Sequence, residues 1–139
     1  MTTTTKPEFN TPAQTVPTNF QPVAAPSLAA LIGTWNNVDH ATRDIVKIVI
    51  SGSGSSLKVD LYGACVPTPC NWGAVSALTY SASVSSNAAI AFTANYAFSF
   101  SKVVVTGHIS GKDLILETFT DFTDGSGRSN YYSSNTMVK

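Results

Sequence analysis

Eight basic and eight acidic residues cancel in this chain of 139, and charged side chains make up 12% of it, about half the usual ~25%. Zero net charge removes the electrostatic footprint of a nucleic-acid binder, and no apolar run approaches the ~18 residues of a membrane span. Hydrophobic residues at 43% argue against global disorder, while 17 serines and 17 threonines stand where charge would usually be.

The segment Met1-Thr2-Thr3-Thr4-Thr5-Lys6 has no apolar core of a secretory signal, so localisation stays open between the cytoplasm and secretion with a signal removed. Residues 1–26 hold five of the seven prolines, at Pro7, Pro12, Pro17, Pro22 and Pro26. They read as an extended or disordered arm. The other reading is that the arm docks Phe9 and Phe20 on its own domain or on a neighbour's, which would make a homo-oligomer. Residues 27–139 form the folded domain, opening with one helical turn over Leu28–Leu31 and Ser27 as its N-cap.

From Gly33 the pattern is β throughout. Eight strands are expected, at Gly33–Val38, Asp44–Ile50, Leu57–Ala64, Trp72–Val84, Ala89–Phe98, Phe100–Ile109, Leu114–Phe122 and Asn130–Val138. They are rich in Val, Ile, Thr, Tyr and Phe, and Gly, Ser, Asn or Asp clusters bound most of them. Leu57, Val59 and Leu61 alternate with Lys58, Asp60 and Tyr62, and Ile90, Phe92, Ala94, Tyr96 and Phe98 share one face of the fifth strand. The second strand is apolar on both faces except at Lys47, so its outer face is expected to be covered. Ser51–Ser56, Ser85–Ala88 and Ser110–Asp113 are hairpin-sized links. Eight consecutive antiparallel strands with short turns predict an all-β, up-and-down barrel. A sandwich of two sheets is the alternative, disfavoured because no long crossover is present.

At Leu31-Ile32-Gly33-Thr34-Trp35-Asn36-Asn37 the sequence resembles the calycins, the lipocalin and avidin type of eight-stranded barrel. Lipocalins open their first strand with G-x-W, and avidins with G-T-W followed two residues later by Asn; Gly33-Thr34-Trp35-Asn36-Asn37 is similar to both. The resemblance implies a structural Trp35 plugging one end of the barrel, a ligand-facing Asn37, and a cavity for a small, largely apolar molecule. This chain departs from both patterns: lipocalins pack a late Arg over that Trp, and here the only late cation in the last strand's final turn is Lys139. Avidins wall the pocket with several later Trp residues, whereas this chain has Trp35 and Trp72 alone. The segment from Gly63 through Cys65, Pro67, Pro69 and Cys70 to Gly73 matches neither pattern and marks a distinct branch.

In a meander, alternate connections lie at one end. The first, third, fifth and seventh bring together Asn36 to Arg43, Cys65 to Trp72, Tyr96 to Phe100 and Asp121 to Arg128, so most of the unusual polar and aromatic residues share a mouth. Trp72, Tyr96 and Tyr131 would supply apolar walls there, with Trp35. Asn37, Asp39, Arg43 and Arg128 would orient a ligand. Arg128 has a second reading as the partner of Asp121 or Asp124, and Asp39 as a turn former with Arg43 paired to Asp44 or Asp124. Asp39, His40 and Arg43 also suit acid–base work. His108 reads as a wall residue beside Val104 and Thr106.

Cys65 and Cys70 read as a disulfide across the third hairpin, with free thiols as the alternative. A metal site would need two further ligands, and no motif asks for a cofactor. The expected function is binding of a small organic ligand in the barrel mouth. A cofactor-independent cyclase or isomerase using the same cavity is one alternative. The other is a carbohydrate-binding or self-assembling surface protein.

Overall fold

Side chains alternate across a strand, so a sheet with one apolar face must bury that face. Here the sheet does so by closing on itself. The computed structural model describes residues 26–139; the expected arm, apart from Pro26, and its docking lie outside them. Eight strands follow in order: β1 (Gly33–Asn37), β2 (Ile45–Ser53), β3 (Ser56–Gly63), β4 (Cys70–Ser81), β5 (Ala89–Ala97), β6 (Ser101–Ser110), β7 (Asp113–Phe122) and β8 (Tyr131–Val138). Each pairs antiparallel with the next and β8 returns to β1, giving a closed barrel with no crossover. The sandwich is thereby excluded. Among the described residues no helix is long and apolar enough to cross a membrane.

The inward positions at one end are apolar and, apart from Phe92 of β5, not aromatic: Ile48 and Ile50 of β2, Leu57, Val59 and Leu61 of β3, Val105 of β6, Leu114 and Leu116 of β7, and Met137 of β8. Trp35 joins them, 2% exposed, its indole N–H donating to Leu31 O at 2.9 Å. Leu28 and Leu31 are buried with it and close that end. They sit on a single turn in which Leu28 O accepts from the N–H of Leu31 and of Ile32. The turn does not propagate into a helix. Nor does Ser27 cap it as expected: its backbone instead bridges the β4–β5 connection, donating to Asn87 O and accepting from Ala89 N. Lys139 lies over the exposed edge of the plug, its Nζ 4.9 Å from the Trp35 ring centroid.

Three one-residue bulges interrupt the ladders, at Val46 of β2, Trp72 of β4 and Ile90 of β5. A bulge leaves one residue unpaired and re-aims its neighbours. The third corrects the expected face of β5: Ala89 turns inward with Phe92, Ala94 and Tyr96, and Ile90 is 37% exposed. The outer face of β2 is half-covered, in part because Lys47 reaches across to the Tyr62 ring, 4.3 Å from its centroid. His108 stands exposed on the outer wall, on the same face as Val104 and Thr106. β2 and β3 extend to a two-residue turn at Gly54-Ser55, as β6 and β7 do at Gly111-Lys112. β4 ends at Ser81, short of the expected Val84, because residues 82–88 are spent on the connection that receives Ser27.

Candidate functional site

Toward the other end the inward positions change character. Along β7 Leu114 and Leu116 give way to Thr118, Thr120 and Phe122; along β6 Val105 and Val103 give way to Ser101; along β8 Met137 gives way to Asn135, Ser133 and Tyr131. Aliphatic packing stops and hydroxyls begin. The hydroxyls of Thr118 and Ser133 hold each other at 2.6 Å. Those of Ser101 and Thr120 have no such partner among the described residues and border a cavity of about 310 Å³. Its other walls are Cys70, Asn71, Trp72, Phe98, Phe100, Val103, Phe122 and Tyr131.

Trp72 reaches this mouth because of its bulge. The register steps from Leu61↔Gly73 to Tyr62↔Asn71, leaving Trp72 as the extra residue. Gly73 beside it has φ +96°, a conformation that L side chains rarely adopt and glycine tolerates. Gly63 on the facing strand leaves room for the ring: a Cβ there would stand 3.0 Å from Trp72 Nε1. The indole meets Tyr96 and Phe98 edge-on, at 5.4 and 5.6 Å between centroids. Tyr96, Phe98 and Phe100 then stack in sequence, each pair 5.7 Å apart. Across the opening Phe122 stacks with Tyr131 at 6.0 Å. Edge-to-face and offset stacks are the arrangements aromatic rings favour.

In a closed barrel of consecutive antiparallel strands the four odd-numbered connections share one end. Backbone hydrogen bonds tie them in pairs, Ala64 N donating to Asp44 O between the third and first and Thr123 N to Phe100 O between the seventh and fifth, while Val38 N of the first donates to Thr136 O within β8. A disulfide joins Cys65 to Cys70 within the third of them.

Of the residues expected to bind, Trp72 and Tyr131 line the cavity. Tyr96 lies beneath it, 4% exposed, with its hydroxyl donating to Gly73 O at 2.7 Å and lying 3.3 Å from the Leu61 N–H. Burial pushes its phenol up to about 12. Arg128 is at the rim, 4.0 Å over the Phe122 ring, and forms the one salt bridge among the described residues, with Asp124 at 2.8 Å. Hydrogen bonds from Ser126, with Arg128 adding a smaller share, hold the Asp124 carboxyl below its ordinary value.

Asn37, Asp39 and Arg43 lie apart from the lining. Asn37 is buried, and its amide hydrogens go to Ile45 O at 2.8 Å and Asn135 Oδ1 at 2.9 Å. Asn135 in turn donates to Asp44 Oδ2 at 3.0 Å. This chain of amides fastens the β1–β8 seam, where the ladder has only the pairs Asn36↔Val138 and Asn37↔Met137. Asp39 forms the turn, its N–H donating to Asn37 Oδ1 and its carboxylate accepting from Ala41 N. Arg43 is exposed and makes no ion pair with Asp44 or Asp124. The expected pairing is not formed: Asp44 Oδ2 accepts from Asn135 and Asp124 pairs with Arg128.

Phe98, Phe100 and Phe122 fall within the connections expected at the mouth but were not named as ligand contacts, and Ser101, Val103 and Thr120 lie outside those connections. The signal for Ser101 and Thr120 is the aliphatic-to-hydroxyl change along one face, visible only when strand faces are laid side by side. Comparison of the chain with protein-family models, with curated proteins and with solved structures finds no match.

Proposed function

We propose that the barrel mouth binds a small, uncharged, largely apolar organic molecule, one with a flat face for stacking and one or two hydrogen-bonding groups. The observation that carries this is the cavity of about 310 Å³ whose lining joins five aromatic rings to hydroxyls and holds no carboxylate, imidazole or cation. That volume is at the small end of ligand pockets. Rings fixed by one another need little ordering when a ligand arrives, which favours affinity. The lining offers stacking and hydroxyl hydrogen bonds rather than a proton-transfer pair, so binding is preferred to isomerase or cyclase chemistry. The closed eight-stranded meander, the Gly33-Thr34-Trp35 opening and Lys139 over the Trp35 ring support placing the chain beside the calycins.

Neutral bicyclic aromatics such as indole and 2-naphthol are suitable probes. A binder is expected to raise the melting temperature, because a ligand at a hundred times its dissociation constant adds ~2.7 kcal/mol. It should also perturb the indole resonance of Trp72 while leaving that of the buried Trp35 unmoved. Binding that survives Trp72→Ala undiminished, or that maps onto the outer wall, would refute the assignment.

A further inference from the structure

A second concavity, of about 610 Å³, lies along β5 to β8; most of its lining is outward-facing, and it adjoins the mouth cavity, with which it shares Val103, Thr120 and Tyr131. Asn95, Val104, Phe119 and Tyr132 stand in one register row across these four strands. Val104, Phe119 and Tyr132 are 42%, 45% and 53% exposed, which is unusual for three large apolar side chains side by side. Phe119 and Tyr132 lie 5.2 Å apart at 46°, forming a shallow V. Exposed as it is, Tyr132 is held in place: its hydroxyl donates to Glu117 Oε2 at 2.6 Å, and the Thr106 hydroxyl donates to Glu117 Oε1 at 3.4 Å. The next row toward the mouth sets Lys102 opposite Asp121, both exposed and without an ion pair between them.

We propose that this outer groove is a second binding site, beside the mouth, and that its ligand is a neutral saccharide chain. A pyranose ring has an apolar C–H face and a rim of hydroxyls that both donate and accept. The groove matches both parts: fixed aromatic faces below, and Asn95, Lys102 and Asp121 at its edge with donors and acceptors in balanced charge. A purely aromatic ligand would use the rings but cover the ammonium and carboxylate without partners, which is costly. Four strands span about 15 Å, the length of roughly three sugar units. A protein surface is the competing occupant, and it would need a contact of about 800 Å² on each side.

The test is titration of the whole chain with cellohexaose, xylohexaose and chitohexaose, read by amide chemical shifts. At least one sugar should move the resonances of residues 95, 102–104, 119–121 and 132 at millimolar concentration. Phe119→Ala and Tyr132→Ala should each weaken that binding about ten-fold with unchanged melting temperature, since both side chains are exposed. Trp72→Ala should leave it as in the parent, which separates this site from the mouth. The proposal is overturned if none of the three sugars moves these resonances, or if the shifts centre on Trp72. It is equally overturned if the chain self-associates through this face and Phe119→Ala abolishes that association.

Discussion

Gly63 and Trp72 face each other across the β3–β4 hairpin so closely that a Cβ on Gly63 would stand 3.0 Å from Trp72 Nε1, and the indole would have to give by a few tenths of an ångström to admit it. The side chain missing from one strand is what allows the bulged residue of the next to lie in the mouth. Gly63→Ala should therefore displace the indole without opening the barrel. Overpacking of this kind costs about 1–3 kcal/mol. Trp72 emission should shift to the red and binding of a mouth ligand should fall, both measurable by fluorescence. Unchanged emission would mean that the ring is not confined by Gly63.

At the closed end the expectation concerns stability. Trp35→Ala should cost about 3–5 kcal/mol, the usual range for truncating a buried aromatic, and denaturant titration measures it. Lys139→Ala should cost far less, about 0.5–1 kcal/mol, because its ammonium only caps an already buried ring. Near-equal losses from the two would show that the plug depends on the cation.

Reduction of the Cys65–Cys70 disulfide should be a local event. The loop it closes is short, worth ~2 kcal/mol on loop-closure entropy. Hydrogen exchange is expected to speed up in residues 64–71 after reduction, with β5 to β8 unaffected. Intact mass after alkylation without prior reduction checks the bond itself: two labelled thiols would contradict it.

Tyr96 predicts a pH dependence. Its phenol titrates near 12 in the folded barrel against an ordinary 10.0. The raised value means that the folded state keeps the proton longer than the unfolded chain does. Its contribution is complete below pH 10 and is lost as pH rises from there through about 12. Tyr96→Phe should remove that part of the alkaline loss. It should also lower neutral-pH stability by about 1–2 kcal/mol, since Gly73 O loses its buried donor. Melting curves from pH 8 upward would show both effects.

Composition and alternation alone determined the all-β class, the eight strands, their meander order and the end at which the polar and aromatic connections gather. These follow from local rules, because a period of two and a Gly/Ser-rich turn are properties of neighbouring residues. The Cys65–Cys70 pair was legible from its spacing, whereas the burial of Trp35 was an expectation from the resemblance of Gly33-Thr34-Trp35 to the calycin opening. The roles of Asn37, Arg43 and Ile90 were not legible. Asn37 depends on Asn135, far away in the chain, and Ile90 on a one-residue slip against β4, while Arg43 stands exposed with no ion pair to Asp44 or Asp124. Only the closed barrel decided these, because a side chain's hydrogen bonds go to whatever the ring of strands brings beside it, and one inserted residue reverses the face that alternation assigns.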